Sequence, residues 1–122
     1  MSSQPRRLRV VERDRRVGSY VTQALRAEGY QVDWATGDEE ALACVRRAPP
    51  ELIVLDATRP YQGEVALPNA LSAASPGTPI LLLTADAGQD PAVDHFAAAR
   101  LVKPFRLDDL LALVAALLHQ AG

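Results

Sequence analysis

The chain has 122 residues, 48% hydrophobic and 23% charged, which suits one compact domain with a sizeable core. A net charge of −2 gives no reason to expect nucleic-acid binding by bulk electrostatics. With Cys44 as the single cysteine, no apolar run near membrane-span length and no signal-peptide core in Met1–Pro5, a cytoplasmic protein is expected.

Residues 1–6 read as a flexible leader and 7–122 as one domain. Six of the thirteen basic residues fall between Arg6 and Arg16, a run expected to be a solvated face. Leu8–Val11 is the first predicted strand. Apolar residues at Val17, Val21, Ala24 and Leu25 then keep helical spacing over Arg15–Glu28, and Gly29 is placed to end that helix. Tyr30–Trp34 alternates as a second strand. Thr36-Gly37-Asp38-Glu39 offers a capping box for a helix reaching about Arg47, before Pro49-Pro50 stops it. Cys44 sits on this helix as a small apolar residue. The third strand, Leu52–Leu55, is apolar throughout, as expected when helices cover both faces of a sheet.

The middle is less regular. Pro60, Gly63 and Pro68 predict a short or bent helix around Glu64–Ala74. A loop at Ser75–Pro79 precedes a strand at Ile80–Leu83, and Pro91–Ala99 holds two or three helical turns. A strand at Leu101–Val102 leads to a fifth helix, Leu107–Gln120. Five strand–helix units specify an α/β fold, a right-handed, doubly wound parallel sheet in a single domain.

Four of the apolar runs end on a residue able to act on a phosphate: Glu12, Asp56, Thr84 and Lys103. In an open parallel sheet the carboxyl ends of the strands line one crevice, so these groups should converge. Asp56 caps a turn or meets a charged ligand. Together with Glu12 and Asp14 it forms an acid cluster that repels itself unless a cation compensates it. Oxygen-only ligands suit Mg²⁺. Lys103 is the only lysine in the chain, and Pro104 after it fixes the local backbone.

Leu8-Arg9-Val10-Val11-Glu12, Leu52–Asp56 with Pro60, Leu82-Leu83-Thr84-Ala85 and Leu101-Val102-Lys103-Pro104-Phe105 together resemble the receiver domains of two-component response regulators. Asp38–Leu42 fits that family's second helix, and the resemblance covers residues 7–120. It implies a flavodoxin-like (βα)5 fold, with Asp56 as phosphoacceptor for a histidine kinase or phosphotransfer protein. Glu12, Asp56 and the backbone carbonyl of Thr58 would hold Mg²⁺, while Thr84 and Lys103 would contact the phosphoryl oxygens. Signalling would then be by protein contact, with no enzymatic activity, nucleic-acid binding or membrane association. The downstream partner would meet the face formed by the fourth helix, fifth strand and fifth helix.

The chain departs from the family's pattern at several positions. The second acid after the first strand, a metal ligand in the family, is Arg13. A guanidinium about 4 Å from Mg²⁺ would be repelled by roughly 8 kcal/mol at an effective dielectric of about 20. Arg13 is therefore expected to point away, or to replace the metal by pairing with Asp56; a one-residue shift would let Asp14 supply the missing carboxylate. Arg100 stands where relatives carry an aromatic switch residue, and Thr58-Arg59 replaces apolar residues. Two readings follow: a phosphorylatable receiver, or a pseudo-receiver acting as a constitutive interaction module. A nucleotide-binding enzyme is disfavoured, because the first turn lacks Gly-x-Gly-x-x-Gly. His95 and His119 are expected at the surface. The chain ends with the fifth helix, as either a single-domain regulator or the receiver of a longer protein.

Overall fold

A computed structural model describes residues 4–57, 66–85 and 97–121. Along the chain it contains β1 (Arg7–Val11), α1 (Arg15–Ala27), β2 (Gln31–Ala35), α2 (Asp38–Arg47), β3 (Leu52–Asp56), α3 (Ala66–Ala74), β4 (Ile80–Thr84), β5 (Ala99–Val102) and α4 (Leu107–Ala121). The strands form one five-stranded sheet in the order β2-β1-β3-β4-β5, with every adjacent pair parallel. The expected doubly wound, flavodoxin-like architecture is therefore present. The chain reverses its winding direction between β1 and β3, so the ligand crevice of such a sheet lies at the carboxyl ends of these two strands.

Period-two alternation explains why β3 and β4 are apolar along their whole length. Leu8, Val10, Leu52, Val54, Leu81 and Leu83 point to one face, where they pack with Val21 and Leu25 of α1 and Leu110 and Val114 of α4. Val11, Ile53, Leu55, Ile80 and Leu82 point to the other, against Ala41 and Val45 of α2 and Leu67 and Leu71 of α3. The inner strands β1, β3 and β4 thus each feed two dry interfaces, as expected inside an all-parallel sheet. Registration of Val11 with Leu55 across β1 and β3 brings Glu12, the next residue, level with Asp56.

Helix ends follow local chemistry. Asp14 is the N-cap of α1, and its Oδ1 accepts from the N–H groups of Arg16 at 2.9 Å and Val17 at 3.2 Å. At the other end the N–H groups of Gly29 and Tyr30 donate to the carbonyls of Arg26 and Leu25, a Schellman motif made possible by φ +95° at Gly29. The capping box expected at Thr36 is not formed. Gly37 is the N-cap of α2 and no side chain caps it, while Asp38, Glu39 and Glu40 in the first turn complement the helix dipole.

Three further expectations are corrected. Arg9 is not part of a solvated face: it is only 2% exposed, pairs with Asp33 at 3.0 Å and donates to the carbonyls of Cys44 and Ala48 at the end of α2. Arg6, assigned to the leader, is tied down by an ion pair with Glu51 and by its carbonyl, which accepts from the Gln31 N–H. β5 begins at Ala99, so the fourth predicted helix does not reach that residue; its residues 91–96, including His95, lie outside the described residues. His119 is exposed, as expected.

Gly18 is buried in α1, and a Cβ there would stand 2.3 Å from the Trp34 indole. Alanine in an exposed helix interior normally stabilises by about 1 kcal/mol relative to glycine. At this site overpacking reverses the sign. Gly18→Ala is expected to lower unfolding free energy by about 1–2 kcal/mol in urea denaturation.

Candidate functional site

The carboxyl ends of β1, β3, β4 and β5 deliver Glu12, Asp56, Thr84 and Lys103 to one crevice. The centre of the site is the Lys103 ammonium. Its Nζ donates to Glu12 Oε1 at 2.9 Å and to Asp56 Oδ1 at 3.2 Å. The Glu12 side chain is fully buried, that of Asp56 is 9% exposed and that of Lys103 18%. Thr84, also buried, ends β4, and its carbonyl accepts from the Lys103 N–H at 2.7 Å, which fixes the stem of the lysine relative to the strand. The Glu12, Asp56 and Lys103 side chains thus meet, with Thr84 beside them at the end of β4.

Burial pushes the Glu12 carboxyl up from its ordinary value. The Asp56 carboxylate adds to the rise, while hydrogen bonds from Lys103 and from the Asp14 N–H oppose it. For Lys103, burial acts downward, but the hydrogen bond to Glu12 and the charges of Asp56 and Glu12 outweigh it and hold the ammonium above its ordinary value. Two like charges are thus brought together, and one cation compensates them.

The atypical residues are placed as follows. Arg13 does not pair with Asp56. Its guanidinium turns outward to Asp38 at the start of α2, 3.2 Å away, with both side chains 45% exposed. That position removes the repulsion an inward arginine would exert on a cation. Asp14, the alternative carboxylate, has its Oδ1 engaged as the α1 cap. Thr58 lies outside the described residues. Arg100 is half-buried in β5, opposite Leu82. Among the described residues no group of three or more His, Cys, Asp or Glu side chains gathers as a metal site. Glu12 and Asp56 nonetheless offer hard oxygen donors side by side, and Mg²⁺ is commonly held by one or two carboxylates plus water and phosphate oxygens. The donor set fits such an ion.

Two contacts were missed in the sequence. The Arg13–Asp38 ion pair crosses from the loop after β1 to α2, and nothing in the spacing signals it. The other is a hydrogen bond from Trp34 Nε1 to the backbone carbonyl of Glu12, 2.9 Å. As the only tryptophan, placed in a strand that pairs with β1, Trp34 was open to notice. A cleft of about 370 Å³ opens beside Lys103, lined by Val17, Tyr20, Ala85, Pro104 and Phe105.

The family model of the response regulator receiver domain matches residues 8–115. The chain belongs to the response regulator receiver family. It is 33% identical over 122 residues to the probable transcriptional regulatory protein TcrX of Mycobacterium tuberculosis, covering 98% of this chain and 52% of that protein. Against the transcriptional regulatory protein PrrA of Mycobacterium leprae it is 37% identical over 123 residues, covering 98% and 52%. The chain thus spans about half the length of these relatives. Among solved structures, a putative response regulator from Chloroflexus aurantiacus superposes with a TM-score of 0.80 at 28% identity, over 95% of this chain and 99% of that one. A CheY-like receiver domain protein from Methanospirillum hungatei gives 0.84 at 24% identity, over 97% of each, and attests the fold.

The coupled charges dictate a pH response. The raised Lys103 value adds stability that is complete below pH 10.5, its ordinary value, and is lost as pH climbs through the folded value. The raised Glu12 value acts against stability as pH climbs from 4.5 through the folded value, because folding there opposes ionisation. Lys103→Met is therefore expected to lower unfolding free energy by about 3 kcal/mol at pH 7. The deficit should shrink on acidification, as Glu12 takes up a proton. Asp56→Asn, which removes the like-charge pair and keeps Glu12–Lys103, should stabilise by about 1 kcal/mol. Urea denaturation of both variants across pH checks the two signs.

Proposed function

We propose that this receiver takes a phosphoryl group on Asp56 from a histidine kinase or phosphotransfer protein and passes the signal on by protein contact. The observation that carries this reading is the Lys103 ammonium held by both Glu12 and Asp56. A carboxylate attacks phosphorus only if the negative charge of the incoming group is countered, and catalysis of such transfers is mostly positioning and electrostatics. In this scheme an Asp56 carboxylate oxygen forms the new P–O bond. The donor's P–N bond breaks, and its electron pair leaves on the imidazole nitrogen. Lys103 moves with the developing charge from carboxylate to phosphoryl oxygen, and the Thr84 hydroxyl donates to another. Glu12 and Asp56, with the Thr58 carbonyl as proposed third donor, would hold Mg²⁺, which would supply further positive charge.

The acyl phosphate adds charge at the crevice without altering the buried sheet. Thr84 and Lys103 lie at the roots of the loops after β4 and β5, so their recruitment biases those loops. We place the output surface on β5 and α4, where Val102 is 38% exposed and Arg100 stands in the strand. Among the described residues no helix is long and apolar enough to cross a membrane, and the family reading favours the cytoplasm. The relatives are named transcriptional regulators, so the low net charge of these 122 residues carries no argument against an output on nucleic acid in a longer protein.

Incubation with acetyl phosphate, followed by intact-protein mass spectrometry, tests the reading. One phosphoryl adduct is expected in the wild type and none in Asp56→Asn; a wild type left unmodified by both acetyl phosphate and a panel of phosphohistidine donors would overturn it. Arg13→Asp restores the second acid that the family carries after the first strand, on a side chain too short to follow the arginine out to Asp38. It is expected to tighten Mg²⁺ binding at least tenfold, about 1.4 kcal/mol, as read by calorimetric titration.

A further inference from the structure

Trp34 is an expensive way to build an edge-strand position. Its indole lies over α1 at Gly18, where a Cβ would approach to 2.3 Å, so the helix carries a buried glycine in its interior to admit the ring. Glycine in a helix interior is unfavourable by roughly 0.5–1 kcal/mol relative to alanine. The ring is not fully buried either, so apolar packing alone is a weak return for that concession. What the arrangement secures is polar: Trp34 Nε1 donates to the carbonyl of Glu12 at 2.9 Å. The N–H of the same Glu12 donates to the carbonyl of Ala35, the next residue of β2, at 3.1 Å. Both backbone polar groups of Glu12 are therefore held by two consecutive residues of one strand.

Glu12 stands just beyond the end of β1, where strand pairing no longer fixes it. Its buried carboxylate must nonetheless meet Lys103 at 2.9 Å and accept from the Asp14 N–H at 3.0 Å. A rotation of the peptide after Glu12 would displace both the Asp14 N–H that holds that carboxylate and the α1 cap that Asp14 provides. The indole hydrogen bond opposes this rotation.

We infer that Trp34 is a positioning residue of the acidic pocket, which holds the Glu12 peptide so that its carboxylate fixes the Lys103 ammonium beside Asp56. The hydrogen bond, not the bulk of the ring, does the positioning. Its consequence for phosphoryl transfer rests on the reading proposed above; its consequence for Lys103 does not.

The composition makes the test direct. With Lys103 the only lysine and Trp34 the only tryptophan, ¹⁵N labelling of these two amino acids gives one side-chain ammonium signal and one indole signal. Two variants separate packing from hydrogen bonding: Trp34→Phe, which loses the donor and part of the ring, and replacement of Trp34 by its benzothiophene isostere, which keeps the shape and loses only the N–H. In both, the resolved Lys103 ammonium resonance is expected to broaden or disappear through faster exchange. Phosphorylation of Asp56 by acetyl phosphate should slow on the order of tenfold, since small misplacements of a charged group carry such penalties. The melting temperature of the isostere protein should stay within a few degrees of wild type. An unchanged Lys103 signal in the isostere protein overturns the inference, as does a loss seen in Trp34→Phe alone, which would assign the effect to packing. If the wild type takes no phosphoryl group, the proposed function fails, and the ammonium signal alone still decides the role of Trp34.

Discussion

The structure depends on a single unbalanced charge arrangement: two carboxylates at adjacent strand ends and one ammonium between them. Glu12 and Asp56 are brought level by the parallel register of β1 and β3, and neither can retreat into solvent. Left alone, the pair would resist ionisation and loosen the sheet end. Lys103 arrives from the far side of the sheet, 47 residues along the chain from Asp56 and 91 from Glu12. That contact therefore reports on the whole fold: it forms only when β4 and β5 have stacked in order beyond β3.

The same arrangement would let a rigid core serve the switchable site proposed above. The three inner strands, β1, β3 and β4, are backed by dry interfaces on both faces, which have little freedom to yield. Freedom resides above them, in side chains whose partners are charges rather than packed methyl groups. A group that alters the charge on Asp56 changes what Lys103 and Thr84 should bind, without asking the sheet to move. Arg13 belongs to this outer layer. Its exposed pair with Asp38 is of the weak surface kind, and it leaves the pocket to two carboxylates where a receiver of the usual pattern would have three.

Much of this was legible in the sequence, because apolar runs of two to four residues ending in Glu12, Asp56, Thr84 and Lys103 state both a strand and its carboxyl end. The parallel sheet then forces those ends together, and strand boundaries came within about two residues. Less legible was everything set by side-chain direction. Arginine at position 13 announced a conflict, but whether it faced the pocket or Asp38 depended on the turn into α1, which Asp14 caps. Arg9 looked like one more basic residue in a charged run. Only its place in β1, on the face that meets the end of α2, shows why it is buried. The thrifty-looking Thr36–Glu39 pattern yielded no capping box, because Gly37 occupies the cap and the acids serve the helix dipole instead. Trp34 could be assigned to a strand by alternation, yet its bond to Glu12 required the third dimension.

The most direct test of the central claim is a ¹H–¹⁵N spectrum of the protein titrated with beryllofluoride, a non-reactive stand-in for a phosphoryl group, in the presence of Mg²⁺. A pocket built around the Glu12–Asp56–Lys103 charges predicts saturable shifts centred on Asp56, Thr84 and the Lys103 ammonium, with the core amides of β3 and β4 nearly unmoved and no response in Asp56→Asn. Shifts absent from this crevice, or identical in the variant, would contradict the account.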